Sequence, residues 1–391
     1  MPAISATLLN RINPIMDTLK PAAIRAFDAQ ISDIPDIIKL TIGEPDFDAP
    51  AKIKAAAVAS IKNNDSHYGK TQGSLALRTA ISDFLHRKYD LEYAPTSEVI
   101  VTVGAMEALE TSLRTILKPG DKVIVPTPGY PMYLSILASL GAVPVCVNTA
   151  ANGFKLSPAQ LSTTLTEHQA KAIIFNFPSN PTGVTYTAEE LAELATVMQQ
   201  HDIFVVADEI YSEFTYGKPH VSLAKYLPKQ TILVSGASKA YAMTGYRIGF
   251  VAAPAALIKE ITKFHQYTVT THINSSMAAA TVAFNECDPE IAVMRAEYAK
   301  RRDYMVAQLT ALGFGVASPD GAFYLFIKMP TRFGTDDTAF ALRLAHEAKV
   351  ALIPGNSFGP GGEGYLRLSY AASQAQLATT IERLAAFLAT N

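Results

Sequence analysis

The sequence predicts an α/β protein with a mostly parallel central sheet, helices on both faces of that sheet, and a smaller α+β domain. In the middle of the 391-residue chain, short β-branched runs alternate with longer helical patterns. This alternation is typical of parallel strands joined by helices. After about Cys287 the alternation stops, and long helices accompany a few short strands. A chain of this length also exceeds what one hydrophobic core usually holds, which favours two lobes.

The predicted strands of the central sheet are short apolar runs bounded by turn residues. They span residues 98–103, 122–126, 143–148, 172–177, 203–207, 231–235 and 247–252. Helical patterns cover residues 105–117, 131–140 and 188–200. Thr187 is the predicted N-cap of the last helix, because its hydroxyl can accept a hydrogen bond from a free backbone N–H group.

The C-terminal part of the chain has a different pattern. A charged helix is predicted for residues 289–312, strands for 315–318, 322–328 and 365–369, and further helices for 337–348 and 374–388. We therefore predict a large domain at residues 48–287 and a small C-terminal α+β domain at 288–391. The N-terminal segment, residues 1–47, is predicted to join the small domain.

Composition and charge limit the possible partners. Hydrophobic residues make up 49% of the chain and charged residues 17%, which excludes a disordered or fibrous protein. With 33 basic and 35 acidic residues, no basic excess favours nucleic acid. No apolar run approaches the ~20 residues of a membrane span, and no signal-peptide pattern is seen. We therefore expect a cytoplasmic protein with small-molecule partners, without nucleic acid or membrane.

The two cysteines, Cys146 and Cys287, each lie in or beside an apolar run. Their spacing fits no metal site, and a secreted disulfide scaffold would contain more cysteines. The sequence therefore predicts two buried core thiols and no bound metal.

The most informative segment is residues 235–249, where Lys239 lies among small residues directly after an apolar strand. A lysine in a compact, desolvated loop can have a lowered pKa and act as an imine-forming nucleophile. Ser238 and Arg247 flank this lysine and could chelate a phosphate group. A lysine on a loop is more often a solvated surface residue, so the assignment depends on the segments that accompany it.

Polar residues also follow other predicted strands. Asp208 ends one apolar strand, with Tyr211 three residues later, and Asn180 lies in a tight turn after another strand. A buried carboxylate needs a cationic partner, such as a protonated pyridine nitrogen. Residues 103–106 lead from a strand into a helix, whose free N–H groups can bind phosphate. Open α/β sheets bind ligands at the carboxyl ends of their strands, so these groups are predicted to meet there.

Together, these segments resemble the fold-type I pyridoxal-phosphate aminotransferases, the class I and II group that includes aspartate and aromatic aminotransferases. The resemblance extends from residues 40–46 to residues 365–369, almost the whole chain. It implies the fold-type I architecture, pyridoxal 5'-phosphate as cofactor, and amino-acid and 2-oxo-acid substrates. It also implies a homodimer with shared active sites.

The resemblance implies a role for each matching residue. Lys239 is the Schiff-base lysine and moves the substrate proton, and Asp208 pairs with the pyridine nitrogen. Substrate contacts are implied for Gly43, Asn180 and Arg367, with Arg367 binding the α-carboxylate. The other cofactor contacts are implied for Gly104, Ala105, Met106, Ser238 and Arg247 around the phosphate, Tyr130 stacking on the ring, Asn180 and Tyr211 at the phenolic oxygen, and Tyr68 reaching the neighbouring subunit's phosphate.

Two positions depart from the family pattern. Many relatives have serine or threonine where this chain has Gly236, so one phosphate contact is either missing or supplied by Ser235. Some aspartate-specific relatives have lysine at the position of Met106. Methionine offers a distal carboxylate no charge, but this residue could equally pack at the start of its helix.

Residues 42–47, 66–68, 207–209 and 243–247 look most like bacterial aromatic amino-acid aminotransferases. We therefore expect transfer of an amino group from an aromatic amino acid to 2-oxoglutarate. The alternatives are an N-acetyl-diaminopimelate or aspartate aminotransferase and, in another class, a pyridoxal-phosphate carbon–sulfur β-lyase that uses the same residues.

Overall fold

The computed structural model describes residues 3–19, 21, 23–316 and 319–391. Its strands are β1 (Ile38–Lys39), β2 (Val99–Val103), β3 (Lys122–Thr127), β4 (Val143–Asn148), β5 (Ala172–Asn176), β6 (Phe204–Asp208), β7 (Thr231–Gly236), β8 (Ile248–Ala252), β9 (Gly315–Val316), β10 (Tyr324–Lys328), β11 (Val350–Ala351), β12 (Ile353–Pro354) and β13 (Tyr365–Ser369). Its α-helices are α1 (Ala6–Leu9), α2 (Ala23–Gln30), α3 (Ala51–Lys62), α4 (Leu75–Tyr89), α5 (Gly104–Ile116), α6 (Met132–Ser139), α7 (Pro158–His168), α8 (Ala188–Met198), α9 (Ala237–Ala240), α10 (Ala255–Val269), α11 (Asn274–Glu286), α12 (Asp288–Ala311), α13 (Asp337–Arg343) and α14 (Gln374–Thr390).

The central sheet has seven strands in the order β2-β8-β7-β6-β5-β3-β4. Strand β8 runs antiparallel to both of its neighbours, and the other pairs are parallel. The predicted mostly parallel sheet is therefore confirmed. In the pairing of β5 with β6, Asn176 lies opposite Asp208, which brings two polar strand ends together at the carboxyl edge.

Helices cover both faces of the central sheet. Along β3, Val123 and Val125 pack in a core with α5, α6 and α10, whereas Ile124 packs on the other face with α7 and α8. Because successive side chains of a strand point to opposite faces, a sheet buried on both sides requires continuous apolar runs. The strand sequences have this pattern.

A second sheet, β12-β13-β10-β9, is formed by the C-terminal part of the chain. Its core also contains Phe27, Ile31 and Leu40 from the N-terminal segment. Strand β1 pairs in parallel with β11, aligning Ile38 with Val350. The N-terminal segment therefore packs with C-terminal elements, while the three-part division of the chain into domains stays a prediction.

Most elements begin and end within a few residues of their predicted bounds, and Thr187 caps α8 in a capping box with Glu190. The predicted helix 337–348 differs, because α13 ends at Arg343 and a π-helical turn, Leu344–Ala348, follows. Strand β10 starts later than predicted, since Ala322 has a left-handed φ of 54°. Residues 317 and 318 of the predicted strand 315–318 lie outside the described residues.

The prediction of two buried thiols is wrong for one cysteine. Cys287 is buried, but Cys146 is exposed. Cys146 lies on β4, the edge strand of the central sheet, which has only β3 as a neighbour. An apolar run does not distinguish an edge strand from a central one.

Within the described ranges, no helix combines the length and apolar character that crossing a membrane requires.

Candidate active site

A cavity of about 600 Å³ opens at the carboxyl edge of the parallel strands. The ends of β5 and β6 contribute Asn176 and Asp208, and the start of α9 contributes Lys239. The second sheet contributes Arg367. Of the site residues predicted from the sequence, those that line this cavity are Gly43, Ala105, Met106, Tyr130, Asn180, Asp208, Tyr211, Ser238, Lys239, Arg247 and Arg367.

Lys239 follows the buried strand β7 directly and lies in the short helix α9. Its Nζ donates a hydrogen bond to the Gly43 carbonyl oxygen at 2.7 Å. The pKa of the Lys239 amine is lowered to about 8, mainly by burial; the charge of Glu44 opposes this shift and that of Arg247 adds to it. A buried amine with this pKa is partly neutral near pH 8 and can act as a nucleophile or a base.

The departure at Gly236 has a steric explanation. A β-carbon at this position would lie 2.6 Å from the Ile248 carbonyl oxygen and 2.8 Å from the Gly249 Cα. The close approach of β7 to β8 therefore requires glycine. Ser235 does not replace the missing hydroxyl in the cavity, because its Oγ donates to the Glu209 carbonyl oxygen at 3.3 Å.

Asp208 is a buried carboxylate at the end of β6. Its Oδ2 accepts a hydrogen bond from the Tyr133 hydroxyl at 2.7 Å, and its Oδ1 accepts one from the Ile210 N–H at 3.2 Å. Burial raises the pKa of Asp208 to about 6, although both hydrogen bonds favour the ionised form. Among the described residues no cation forms an ion pair with it. A cationic ligand in the cavity would stabilise the carboxylate.

Arg367 is almost fully buried and held in a fixed orientation. Its Nη1 donates to Asn180 Oδ1 at 3.0 Å, and its Nη2 donates to the Thr41 carbonyl oxygen. The guanidinium carbon lies 4.7 Å from the Tyr324 ring centroid and 5.1 Å from that of Phe358. Its Nε has no hydrogen-bond partner within the described part of the chain. A buried charged donor without a partner is costly, so an anionic group bound to this side chain would be stabilised.

Several groups that can bind a phosphate lie at the N-terminus of α5. Arg247 donates to the Thr244 carbonyl oxygen at 2.9 Å. Gly104 adopts a left-handed φ of 75°, and a β-carbon there would lie 2.3 Å from Arg247 Nη2. The left-handed backbone favours glycine here, although Gly104 itself does not line the cavity. No side chain caps the start of α5, so its first N–H groups can bind an anion.

Sequence reasoning missed several residues that shape the cavity. The Tyr133 hydroxyl donates a hydrogen bond to the Asp208 carboxylate. The hydroxyl groups of Tyr324 and Tyr211 are hydrogen-bonded to each other at 2.7 Å. Both tyrosines lie in apolar runs that resemble ordinary core. Arg25 and Glu44 of the N-terminal segment also line the cavity, and no local pattern predicts this long-range contact.

Tyr68 does not line the cavity of its own chain, and its side chain is 89% exposed. This position suits the predicted contact with a neighbouring subunit, which a single chain does not test. Met106 lines the cavity, and the Tyr130 hydroxyl lies 3.7 Å from its sulfur. Met106 also packs against the core beside α5, so its position fits both interpretations, packing at the start of the helix and a contact with the substrate.

Several proteins with named activities are similar to this chain. The chain is 42% identical over 377 residues to a probable N-acetyl-LL-diaminopimelate aminotransferase of Bacillus subtilis, a match covering 96% of this chain and 95% of that protein. The structure of the present chain is similar to that of an aspartate aminotransferase from Thermus thermophilus with maleate (TM-score 0.91, 34% identity, covering 99% of this chain and 100% of that chain). It is also similar to an aromatic aminotransferase from Pyrococcus horikoshii OT3 (TM-score 0.88, 36% identity, 93% and 99%).

The sequence model of the family described as aminotransferase class I and II matches residues 35–384. The fold-type I architecture expected from the sequence is confirmed by these structures. The chain belongs to the class I and II aminotransferases and is a pyridoxal-phosphate-dependent transferase.

Proposed function

We propose that this aminotransferase moves the amino group of an aromatic amino acid to a dicarboxylic 2-oxo acid such as 2-oxoglutarate, in the cavity around Lys239. The observation that carries the proposal is the apolar lining of the cavity beside the polar groups. This lining is formed by Ile24, Ile42, Met106, Leu109 and Tyr130. Such a surface suits a ring, and aromatic contacts are worth about 0.5–1.5 kcal/mol beyond their buried area.

The residues of the cavity fit pyridoxal phosphate. Asp208 is a buried carboxylate without a cationic partner in the described chain, which suits a protonated ring nitrogen. Arg247, Ser238 and the uncapped start of α5 would hold the phosphate. Tyr130 would contact the ring, and Asn180 and Tyr211 would hold its phenolic oxygen. When bound, the cofactor withdraws electrons from the α-carbon of the amino acid and so makes its proton acidic.

The chain's own residues then orient the substrate and move the proton. Arg367 presents its guanidinium to the α-carboxylate, with the unpartnered Nε as an additional donor. The Lys239 Nζ takes the proton from the α-carbon and would deliver it to the carbon of the bound cofactor that keeps the amino group, which its lowered pKa permits near neutral pH. Asp208 stays ionised because Tyr133 and the Ile210 N–H stabilise its negative charge.

The names of similar proteins point to three different classes of amino donor. The relative with 42% identity favours N-acetyl-LL-diaminopimelate, and other relatives are named aspartate and aromatic aminotransferases. Met106 argues against aspartate, because the apolar wall beside it offers the carboxylate of this short side chain no charged partner. We therefore place the aromatic donors first and the diaminopimelate derivative second.

The first prediction concerns the pH dependence of Lys239. Only the neutral amine reacts with an electrophile, so its reactivity rises with pH through the pKa of about 8, whereas an ordinary lysine requires about 10.5. We expect the trinitrophenylation rate of Lys239 in the apoprotein, followed by peptide mapping, to have its midpoint near pH 8. Glu44→Gln should lower the midpoint, because the Glu44 charge raises this pKa. A midpoint near 10.5 would contradict the buried environment.

The second prediction concerns the donor. With 2-oxoglutarate as acceptor, kcat/KM for phenylalanine and tyrosine should exceed that for aspartate by about tenfold or more, or 1.4 kcal/mol in transition-state binding. Met106→Lys should raise kcat/KM for aspartate, since it supplies a charge, whereas Met106→Leu should not.

N-acetyl-LL-diaminopimelate is measured in the same assay. The aromatic assignment is wrong if this compound or aspartate exceeds both aromatic donors tenfold. Release of pyruvate from cystathionine without any 2-oxo acid would instead indicate a β-lyase.

The third prediction is a homodimer with shared active sites. Exposed apolar side chains lie on neighbouring elements, and a patch of this kind marks an interface. They are Val58, Ile61, Tyr68, Tyr267 and Ile273. The mass in solution should be twice 42.0 kDa, and a fully active monomer would overturn this proposal.

Subunit complementation tests whether the two subunits share their active sites. If Tyr68 serves the neighbouring site, a mixed dimer of Lys239→Ala and Tyr68→Ala chains contains one site with Lys239 and an intact Tyr68. Random mixing of two inactive variants should then restore about one quarter of the wild-type activity, since half of the dimers are mixed and each has one intact site. No gain over the separate variants would show that Tyr68 does not act across the interface.

A further inference from the structure

We propose that the buried pair of Glu209 and His220 positions the two side chains that contact the phenolic oxygen of the cofactor. The inference rests on the proposed function, in which those side chains are Tyr211 and Asn180. Both members of the pair are buried, and neither lines the cavity around Lys239. They are therefore positioning residues, because they reach the reaction only through other side chains.

The carboxylate of Glu209 accepts hydrogen bonds on both of its oxygens. Its Oε2 lies 2.7 Å from His220 Nε2. Its Oε1 accepts from the Ser222 hydroxyl at 2.9 Å and from the Leu223 N–H at 3.1 Å. Because a carboxylate accepts hydrogen bonds, the Nε2 of His220 carries the proton that it donates. These three donors stabilise a charge that burial alone would disfavour, and they join the turn at Glu209 to residues 220–223.

Tyr211 follows Glu209 by two residues, in the same tight turn. The Glu209 carbonyl oxygen accepts a hydrogen bond from the Ser212 N–H at 3.0 Å and one from the Ser235 hydroxyl at 3.3 Å. The Glu209 N–H donates to the Val234 carbonyl oxygen at 2.9 Å. With both its backbone and its carboxylate bonded, Glu209 fixes the direction of the turn that carries Tyr211.

The ring of His220 joins this turn to the one that carries Asn180. It stacks on Phe177, with ring centroids 5.2 Å apart and an interplanar angle of 29°. Phe177 lies three residues before Asn180, whose N–H donates to Asn176 Oδ1 at 2.9 Å. His220 therefore contacts both turns, one through its Nε2 and the other through the face of its ring.

Both of the positioned side chains can donate hydrogen bonds into the cavity that they line. Asn180 Oδ1 accepts from Arg367 at 3.0 Å, so the amide NH₂ is the group that can donate. The Tyr211 ring packs edge-on against those of Phe323 and Tyr324. Donors stabilise an ionised phenolic oxygen only at hydrogen-bond distance. A small movement of either turn would therefore weaken this stabilisation.

The pair requires only a neutral imidazole. His220 Nδ1 is buried and has no hydrogen-bond partner among the described residues. A second proton on the ring would bury an N–H group without an acceptor, which is costly. Replacing His220 by an uncharged residue therefore moves groups near the cofactor without changing their charge, so a change of the cofactor reports position.

The test follows the absorbance of the holoenzyme against pH, because the bound cofactor changes its absorbance when the imine nitrogen that joins it to Lys239 loses its proton. Donors at the phenolic oxygen stabilise its negative charge and so weaken its attraction for that proton. Tyr211→Phe removes one donor and should raise the midpoint of the change by about one pH unit. His220→Ala should raise it by about half a unit or more.

Matched variants separate the two contacts of His220. His220→Phe keeps a ring against Phe177, and His220→Gln keeps an N–H donor for Glu209, so each should raise the midpoint less than His220→Ala. In a Tyr211→Phe background, the increase caused by His220→Ala should be smaller, since one donor is already absent. The control is Leu384→Ala, which leaves a cavity in the buried face of α14, away from the site, and should lower the melting temperature without moving the midpoint.

Three results would overturn the role of the pair. If Tyr211→Phe raises the midpoint and His220→Ala does not, the inference is wrong while the assignment of Tyr211 stands. An equal increase with and without the Tyr211 hydroxyl would show that His220 does not act through this side chain. If Tyr211→Phe itself leaves the midpoint unchanged, its proposed place at the phenolic oxygen is wrong, and the inference fails with it. Should His220→Ala not fold, the His220→Phe and His220→Gln variants decide between the same results.

Discussion

The buried carboxylate of Asp208 is the constraint on which the site depends. A parallel sheet that is apolar on both faces ends at this residue, and burial is the main reason why the pKa of Asp208 is raised to about 6. Leaving an ionised carboxylate there is costly unless a cation meets it. Tyr133 and the Ile210 N–H stabilise the charge but do not neutralise it. The fold therefore buries a negative charge that a protonated ring nitrogen would neutralise.

The groups around Asp208 come from distant parts of the chain, which links folding to function. The N-terminal segment supplies the Gly43 carbonyl that accepts from Lys239 and the Thr41 carbonyl that accepts from Arg367. Arg367 itself lies in the second sheet, between the rings of Tyr324 and Phe358. Because these contacts join the central sheet to the N-terminal and C-terminal elements, the cavity forms only when all three pack together. The same N-terminal segment also lines the cavity with Ile24 and Ile42.

The sequence predicts the parts of the site that local pattern determines. Asp208 and Asn180 follow apolar runs, and Lys239 lies among small residues after a strand, so their convergence at one edge follows from the geometry of parallel strands. Tyr133 and Tyr324 could not be found in this way, since a buried tyrosine in an apolar run looks like core until its hydroxyl partner is known. The exposure of Cys146 depends on strand order, and the contact of the N-terminal segment depends on tertiary packing. The left-handed Ala322 and the π-helical turn after α13 likewise carry no recognisable signal.

We propose that Asp208 keeps the ring nitrogen of the bound cofactor protonated. The direct measurement is the ¹⁵N chemical shift of ring-labelled pyridoxal phosphate in the holoenzyme, compared between the wild type and Asp208→Asn at pH 8. Asparagine preserves the shape of the side chain and removes the charge. We expect a protonated nitrogen in the wild type and an unprotonated nitrogen in Asp208→Asn. An unprotonated nitrogen in the wild type, or a protonated one in both proteins, would contradict it.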